Sequence, residues 1–234
     1  MAVPKTKLWA IDPHTAAKHQ ILRWYLQAWF PILGKYNGRI VYFEGFAGPG
    51  EYEGAEPGSP LVALDVALEQ HAHLRKEVVF YLVEANEERE GHLRELIQKR
   101  KEDGLPEGFS FEVRRAEFAS EFAAMLDDLD TKGLALAPTF AFIDPFGFKG
   151  LPMALIHRLL GHKGTEAFIN FPVNPVNRFI EHPNEEINAQ MVELFGTPEA
   201  LDHKGFDALR QLYQRQLEEA ATYVRFFSMH RADG

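Results

Sequence analysis

Five short runs rich in β-branched and aromatic residues, at 39–44, 78–83, 109–115, 139–143 and 166–171, alternate with helical periodicity at 60–71, 87–101, 119–130 and 152–160. This alternation narrows the choice of fold more than any other feature of the chain. Parallel neighbours need a crossover of about a dozen residues or more, and a helix of three turns supplies it. The pattern therefore predicts an α/β chain with a doubly wound, mainly parallel sheet. Ahead of it, Asp12-Pro13 reads as the N-cap and first residue of a helix over 13–33. Its apolar face is expected to be Ile21, Trp24, Tyr25, Ala28 and Ile32, with Pro31 kinking or ending the last turn and Gly34 as the stop. Ser59-Pro60 and Asn86 are the clearest caps further on.

From about 175 to 221 the pattern is wholly helical, with starts at Thr197-Pro198 and Phe206 and with Leu209, Leu212, Tyr213 and Leu217 on one face. It reads as a helical insertion before a last strand over 222–229. That strand runs into Arg231-Ala232-Asp233-Gly234, a hairpin-turn signal with nothing after it to return. A strand left so has an open edge, which predicts that the natural protein continues with a further C-terminal strand. A length of 234 residues with 46% apolar content suits one core, hence a single domain over 1–234.

A net charge of −9 argues against general adhesion to nucleic acid or anionic membrane, and Lys99-Arg100-Lys101 and Arg114-Arg115 read as solvated faces. The chain has no cysteine, which excludes disulfides, zinc–thiolate sites, iron–sulfur clusters and thiol nucleophiles. Methyl transfer through a cysteine adduct to a pyrimidine carbon is excluded with them. Residues 1–12 have no apolar core of signal-peptide length and no later run approaches the roughly 18 apolar residues of a spanning helix, so a cytoplasmic protein without membrane contact is expected. His71 and His73 stand two apart, the wrong spacing for one helix face, and no metal site is expected.

Two strand ends carry the chemistry. The first is Tyr42-Phe43-Glu44-Gly45-Phe46-Ala47-Gly48-Pro49-Gly50, a buried strand ending in an acid and entering a loop in which Gly45, Gly48 and Gly50 let the backbone approach a ligand. The spacing is not that of the dinucleotide fingerprint, and Glu51, Glu53 and Glu56 follow where a helix would begin. Glu44 and these three carboxylates repel a pyrophosphate and attract the sulfonium and ammonium of S-adenosylmethionine (AdoMet), which favours AdoMet over NAD. Glu44, Gly45, Phe46, Ala47, Gly48 and Gly50 are the candidate cofactor contacts. Glu84, at the end of the next strand, suits the two ribose hydroxyls, and Glu117 after the third strand could reach the adenine amine.

The second strand end is Phe142-Ile143-Asp144-Pro145-Phe146-Gly147. In a doubly wound sheet the first and fourth strands are neighbours where the order reverses, and ligands bind beyond their carboxyl ends. Asp144-Pro145-Phe146 resembles in part the Asp-Pro-Pro-Tyr turn of the DNA and RNA amino-methyltransferases, with one proline where that turn has two. On that model Asp144 and the Pro145 carbonyl accept the hydrogens of an amine, turning its lone pair to the methyl group, and Phe146 stacks on a base. Phe148, Lys149, Asn170, Asn174, Asn177 and Arg178 complete a polar substrate side, with amides to read a base edge and Arg178 to hold a phosphate or carboxylate.

Taken together, the chain resembles the three-Cys-motif partner proteins. The likeness runs through Lys18-His19-Gln20-Ile21-Leu22, Tyr25-Leu26 and Trp29, through Tyr42 to Tyr52, through Gly58-Ser59-Pro60-Leu61, Phe142 to Gly147, Asn170-Phe171 and Asn177-Arg178-Phe179. The resemblance implies a Rossmann-like, class I methyltransferase-like fold and AdoMet as cofactor. It also implies a partner with a three-cysteine motif resembling radical-AdoMet proteins. The family likeness carries over no substrate; the Asp144-Pro145-Phe146 turn points to an amine on a nucleobase, in nucleic acid or a nucleotide, or to another group. The competing expectation is a non-catalytic nucleoside-binding module that docks that partner.

Overall fold

The computed structural model describes residues 6–74 and 77–228. In chain order the elements are α1 (Pro13–Tyr36), β1 (Arg39–Glu44), α2 (Ser59–Glu69), β2 (Glu77–Glu84), α3 (Glu87–Glu102), β3 (Phe109–Arg115) and α4 (Phe118–Lys132). Then come β4 (Thr139–Ile143), α5 (Met153–Leu160), β5 (Glu166–Ile169), α6 (Val173–Phe179), α7 (Glu185–Phe195) and α8 (Phe206–Glu218). The chain divides into two compact units, a sheet unit of residues up to 145 with 162–170 and a helical unit of 146–161 with 171 onward.

In the sheet unit all five strands are parallel, in the order β3-β2-β1-β4-β5. The order reverses between β1 and β4, as the alternation predicted, and this is a Rossmann-like α/β arrangement. Side chains alternate across the sheet. Ile40 and Tyr42 of β1 share a core with Leu22, Leu26, Trp29 and Phe30 of α1, Leu61 and Leu64 of α2, and Leu93 and Ile97 of α3. Phe43, of opposite parity, meets Phe118 and Phe122 of α4 at centroid distances of 6.0 and 4.7 Å. Helices thus cover both faces, and β1 is buried along almost its whole length.

α1 differs from expectation in three ways. Asp12 caps it, its Oδ1 accepting from His14 and Thr15 N–H at 2.9 and 3.0 Å, but the helix runs through Pro31 to Tyr36. Gly34 is no stop. A Cβ there would lie 2.5 Å from Leu74 Cδ2, so the residue permits close packing, and Asn37 ends the helix with its N–H on the Leu33 carbonyl at 3.1 Å. The buried face is Lys18, His19, Leu22, Leu26, Trp29 and Phe30, whereas the expected apolar face holds Trp24 at 64% and Ile32 at 59% exposure. A helix apolar on two sides can bury either, and the one whose rows match the sheet and α2 won.

In the helical unit Phe171 stacks on Tyr213 at 4.3 Å, with Phe195 edge-on to that tyrosine at 5.8 Å, and Leu209 and Leu212 bury beside them. The ring of His157 on α5 bonds the Gln216 carbonyl of α8 at 2.7 Å. Thr197-Pro198 begins a 3-10 turn, not an α-helix. The last strand is a correction: 222–228 forms no strand, and Tyr223, Phe226 and Phe227 are exposed. A strand exists only by pairing, and the helical unit offers no strand among its described residues. Met229 and the turn at 231–234 lie outside the described residues.

Candidate functional site

The glycine loop crosses the carboxyl ends of three strands and bonds to each side in turn. Gly45 N–H donates to the Phe142 carbonyl of β4 at 3.2 Å and Ala47 N–H to the Val83 carbonyl of β2 at 2.8 Å. Gly48 N–H then donates to Glu84 Oε2 at 2.9 Å. A Cβ on Gly45 would fall 2.4 Å from the ring of Phe118, which itself packs on Phe46 at 5.4 Å, so only glycine passes there. Gly48 is different. It has φ 64° and open space where a Cβ would stand, leaving a cradle of main chain beside Glu84. Gly50 N lies on the other side of Pro49, where φ is 86° and a Cβ would be 2.7 Å from Leu93 Cδ1.

Beyond it the loop closes on itself. Gly58 N–H donates to the Gly50 carbonyl and Tyr52 N–H to the Glu56 carbonyl, both at 2.8 Å, and Glu53 N–H reaches the Trp9 carbonyl at 3.0 Å.

Glu84 ends β2 with its carboxylate turned back on the loop. Oε2 takes Gly48 N–H and Oε1 takes Asn86 N–H, each at 2.9 Å. Burial raises its pKa, and those two N–H groups and the Arg89 guanidinium pull the other way. Each oxygen keeps a lone pair, the arrangement needed to accept from neighbouring hydroxyls. Glu117 is the exposed residue ahead of α4, close enough to Glu84 to raise its pKa further.

Glu44 lies deeper than expected. It is 1% exposed, with Oε2 accepting from the Tyr42 hydroxyl at 2.8 Å and Oε1 from the Ser59 hydroxyl. Ser59, read from the sequence as a cap, is spent on Glu44, and Gly58 takes the cap position of α2 with no side-chain bond. Desolvation pushes the Glu44 carboxyl up to about 8, against the lowering effect of the two hydroxyls, so it is mostly protonated at neutral pH. The acidic surroundings of the loop therefore rest on Glu51, Glu53 and Glu56, of which Glu51 pairs with the His92 ring at 2.9 Å.

Asp144, just past β4, is placed by two side chains. Lys18 Nζ of α1 donates to Oδ2, and Asn170 Nδ2 donates to Oδ1 at 2.7 Å. Asn170 is held in turn by its own N–H on the Ile143 carbonyl at 2.8 Å. Lys18 is 9% exposed. Beside it His19 is pushed down to about 4 by burial first and the Lys18 charge second, and its ring lies 5.8 Å from Tyr52. Tyr52 packs edge-on to Trp9 at 5.5 Å, and the Arg89 guanidinium lies over the Trp9 ring at 5.0 Å. Burial, then Asp144 and Glu44, raise the Tyr52 phenol.

The structure thus gathers Glu44, Gly45, Phe46, Ala47, Gly48, Gly50, Glu84, Asp144, Pro145 and Asn170 in the sheet unit, with Glu117 near Glu84. Phe146, Phe148, Lys149, Asn174, Asn177 and Arg178 belong to the helical unit. There Phe148 is buried against Phe179 at 5.8 Å, and Asn177 Oδ1 accepts Gly205 N–H at 3.1 Å. Lys149, Asn174 and Arg178 are exposed.

Sequence reasoning assigned no role to Lys18, Tyr52, Trp9 or Arg89. Lys18 did leave a signal, because it stands four and eight residues before Leu22 and Leu26, on the stripe that α1 buries. No family model matches the chain, and no curated protein matches it. Among the described residues no helix is long and apolar enough to cross a membrane, and no group of three or more histidine, aspartate or glutamate residues could hold a metal ion.

Proposed function

We propose that the sheet unit binds AdoMet and that the protein is an AdoMet-dependent methyltransferase. The observation that carries this reading is the pairing of Glu84 with Gly48: a carboxylate with spare lone pairs beside open main chain, at the carboxyl ends of β1 and β2, one strand from where the strand order reverses. That cradle fits a nucleoside, with Glu84 accepting from the ribose hydroxyls. When bound, AdoMet supplies an electrophilic methyl carbon on a sulfonium. Loop 45–50 holds the cofactor's amino-acid end by main chain, and Glu44 acts from beneath, bracing the loop through Ser59. Asp144 marks the acceptor end, since displacement at carbon needs chiefly an acceptor held about 3 Å away in line.

A partner carrying a three-cysteine motif and a cytoplasmic setting belong to the same reading, supported by the sequence resemblance. The second reading is a nucleoside-binding docking module for that partner. It is favoured by one observation, that each Asp144 oxygen already accepts a side-chain donor. Titration calorimetry with AdoMet, S-adenosylhomocysteine and NAD tests the cofactor site: heat from the first two and none from NAD is expected, and no heat from any of the three sinks the enzyme reading. With binding present, transfer of a labelled methyl group separates the enzyme from the docking module, and binding without transfer favours the module.

A further inference from the structure

We infer that the methyl acceptor is a hydroxyl oxygen, with Lys18 and Asp144 as the pair that prepares it. The inference rests on the AdoMet reading and changes the acceptor expected from the sequence, an amine. The geometry is the contact of Lys18 Nζ with Asp144 Oδ2 at the end of β4, with Asn170 Nδ2 on Oδ1 at 2.7 Å.

Charge decides between the two acceptors. An amine that attacks a methyl group gains positive charge on nitrogen as the bond forms, and a buried lysine ammonium beside it opposes that change. A hydroxyl develops negative charge on oxygen as its proton leaves, which the same ammonium favours. Occupancy allows it: each Asp144 oxygen, though already engaged, keeps one further lone pair, and a hydroxyl needs only one. A carboxylate acceptor would need none and would be repelled by Asp144.

The step balances as follows. The acceptor oxygen bonds to the methyl carbon while the carbon–sulfur bond breaks, its electron pair staying on sulfur. The hydroxyl proton passes to Asp144 Oδ2 and on to water. Lys18 is unchanged at the end. His19, uncharged because burial disfavours its cation, adds no second positive charge beside the acceptor. Tyr52 packs between His19 and Trp9.

The test uses the full chain with S-adenosylhomocysteine, methyl-labelled AdoMet and an extract of the cells the protein comes from. Calorimetry with S-adenosylhomocysteine comes first, and absence of binding sinks the AdoMet reading itself. With binding present, wild type is expected to place label in methyl ethers, stable to mild alkali and uncharged in acid. Label on nitrogen, label released by mild alkali as an ester, or no transfer at all overturns the hydroxyl acceptor. Lys18→Met should cut transfer at least about 100-fold with S-adenosylhomocysteine affinity within about threefold of wild type. Lys18→Arg, which keeps the charge and guards against a fold lost to an unpaired Asp144, should retain at least about a tenth of the rate. Equal loss in both variants with unchanged affinity, or a rate raised by Lys18→Met, overturns the role of the ammonium.

Discussion

Glu44 and Asp144 end neighbouring parallel strands, one on β1 and the other just past β4, and both are acids followed within a few residues by glycine. Glu44 is 1% exposed, bonded to two neutral hydroxyls and pushed up to about 8 by burial. Asp144 is half-buried and bonded to an ammonium and an amide. The same residue class at adjacent strand ends thus yields a neutral brace in one place and a paired charge in the other. The partners make the difference. Where α2 enters it offers Ser59, and where α1 passes it offers Lys18.

The largest effect expected of a single change is on chemistry at Asp144. Asp144→Ala should lower methyl transfer about 1,000-fold or more, with affinity for S-adenosylhomocysteine little changed; weakened cofactor binding of the same size would place Asp144 with the cofactor and erase the contrast with Glu44.

Glu44 is to be broken by pH. Its folded pKa lies above the unfolded value of 4.5, so the stability it contributes is full below about pH 4.5 and is lost as pH rises towards 8. Glu44→Gln, which keeps a partner for Tyr42 and Ser59, should remove a slope of at most about 1.4 kcal/mol per pH unit in that window. Thermal melts of both proteins from pH 5 to 9 should show the variant gaining on wild type as pH rises, and parallel curves would show that Glu44 is charged throughout.

Glu84→Gln sits between the two, since it keeps the size of the side chain but removes one acceptor, leaving the Gly48 or the Asn86 N–H against an amide NH2. It should weaken S-adenosylhomocysteine binding about tenfold or more, the scale of losing charge-assisted bonds to two hydroxyls. Unchanged affinity in calorimetry would remove Glu84 from the cofactor site. An effect of similar size, on stability and not on binding, belongs to Ser59→Ala. Taking one hydroxyl from a buried carboxyl should cost about 1–3 kcal/mol by chemical denaturation, with no change in S-adenosylhomocysteine affinity beyond that of a looser loop.

The change confined to acid is at His19, whose folded pKa of about 4 lies below its ordinary 6.5. Its contribution is full above pH 6.5 and is lost as pH falls towards 4, opposite in sign to that of Glu44. His19→Asn should make unfolding less sensitive to acid between those values, and an unchanged acid limb would show that His19 charges without cost.

Much of the sheet was legible because β1 and β4 are continuous β-forming runs buried on both faces, so their ends at Glu44 and Ile143 stand out against the glycine and proline that follow. The parallel sense followed from crossover lengths, and the order reversal from the doubly wound class that the alternation defines. The face of α1 was not legible, since Trp24 and Ile32 are as apolar as Leu26 and Phe30, and only packing against a particular sheet ranks them. Ser59 was misread for a related reason: ahead of Pro60 its hydroxyl suits a helix start, and nothing local says that a buried glutamate fifteen residues earlier needs it more. Lys18 was obscured by expectation, as a lone lysine on a helix is ordinarily solvated. The strand expected over 222–229 failed because strand propensity is realised only against a neighbour.

The stretch from Gly45 to Gly58 is stitched by the Gly58–Gly50 and Tyr52–Glu56 bonds, the bridge of Glu51 with Pro57 and the tie to Trp9. Fixing a free backbone costs about 1–2 kcal/mol per residue in lost entropy. For this loop that cost is met when the chain folds and is not charged again to whatever settles on it. Occupancy then reports the contacts less the cost of association, with no ordering of the loop deducted, and release requires parting of contacts with no melting of the loop.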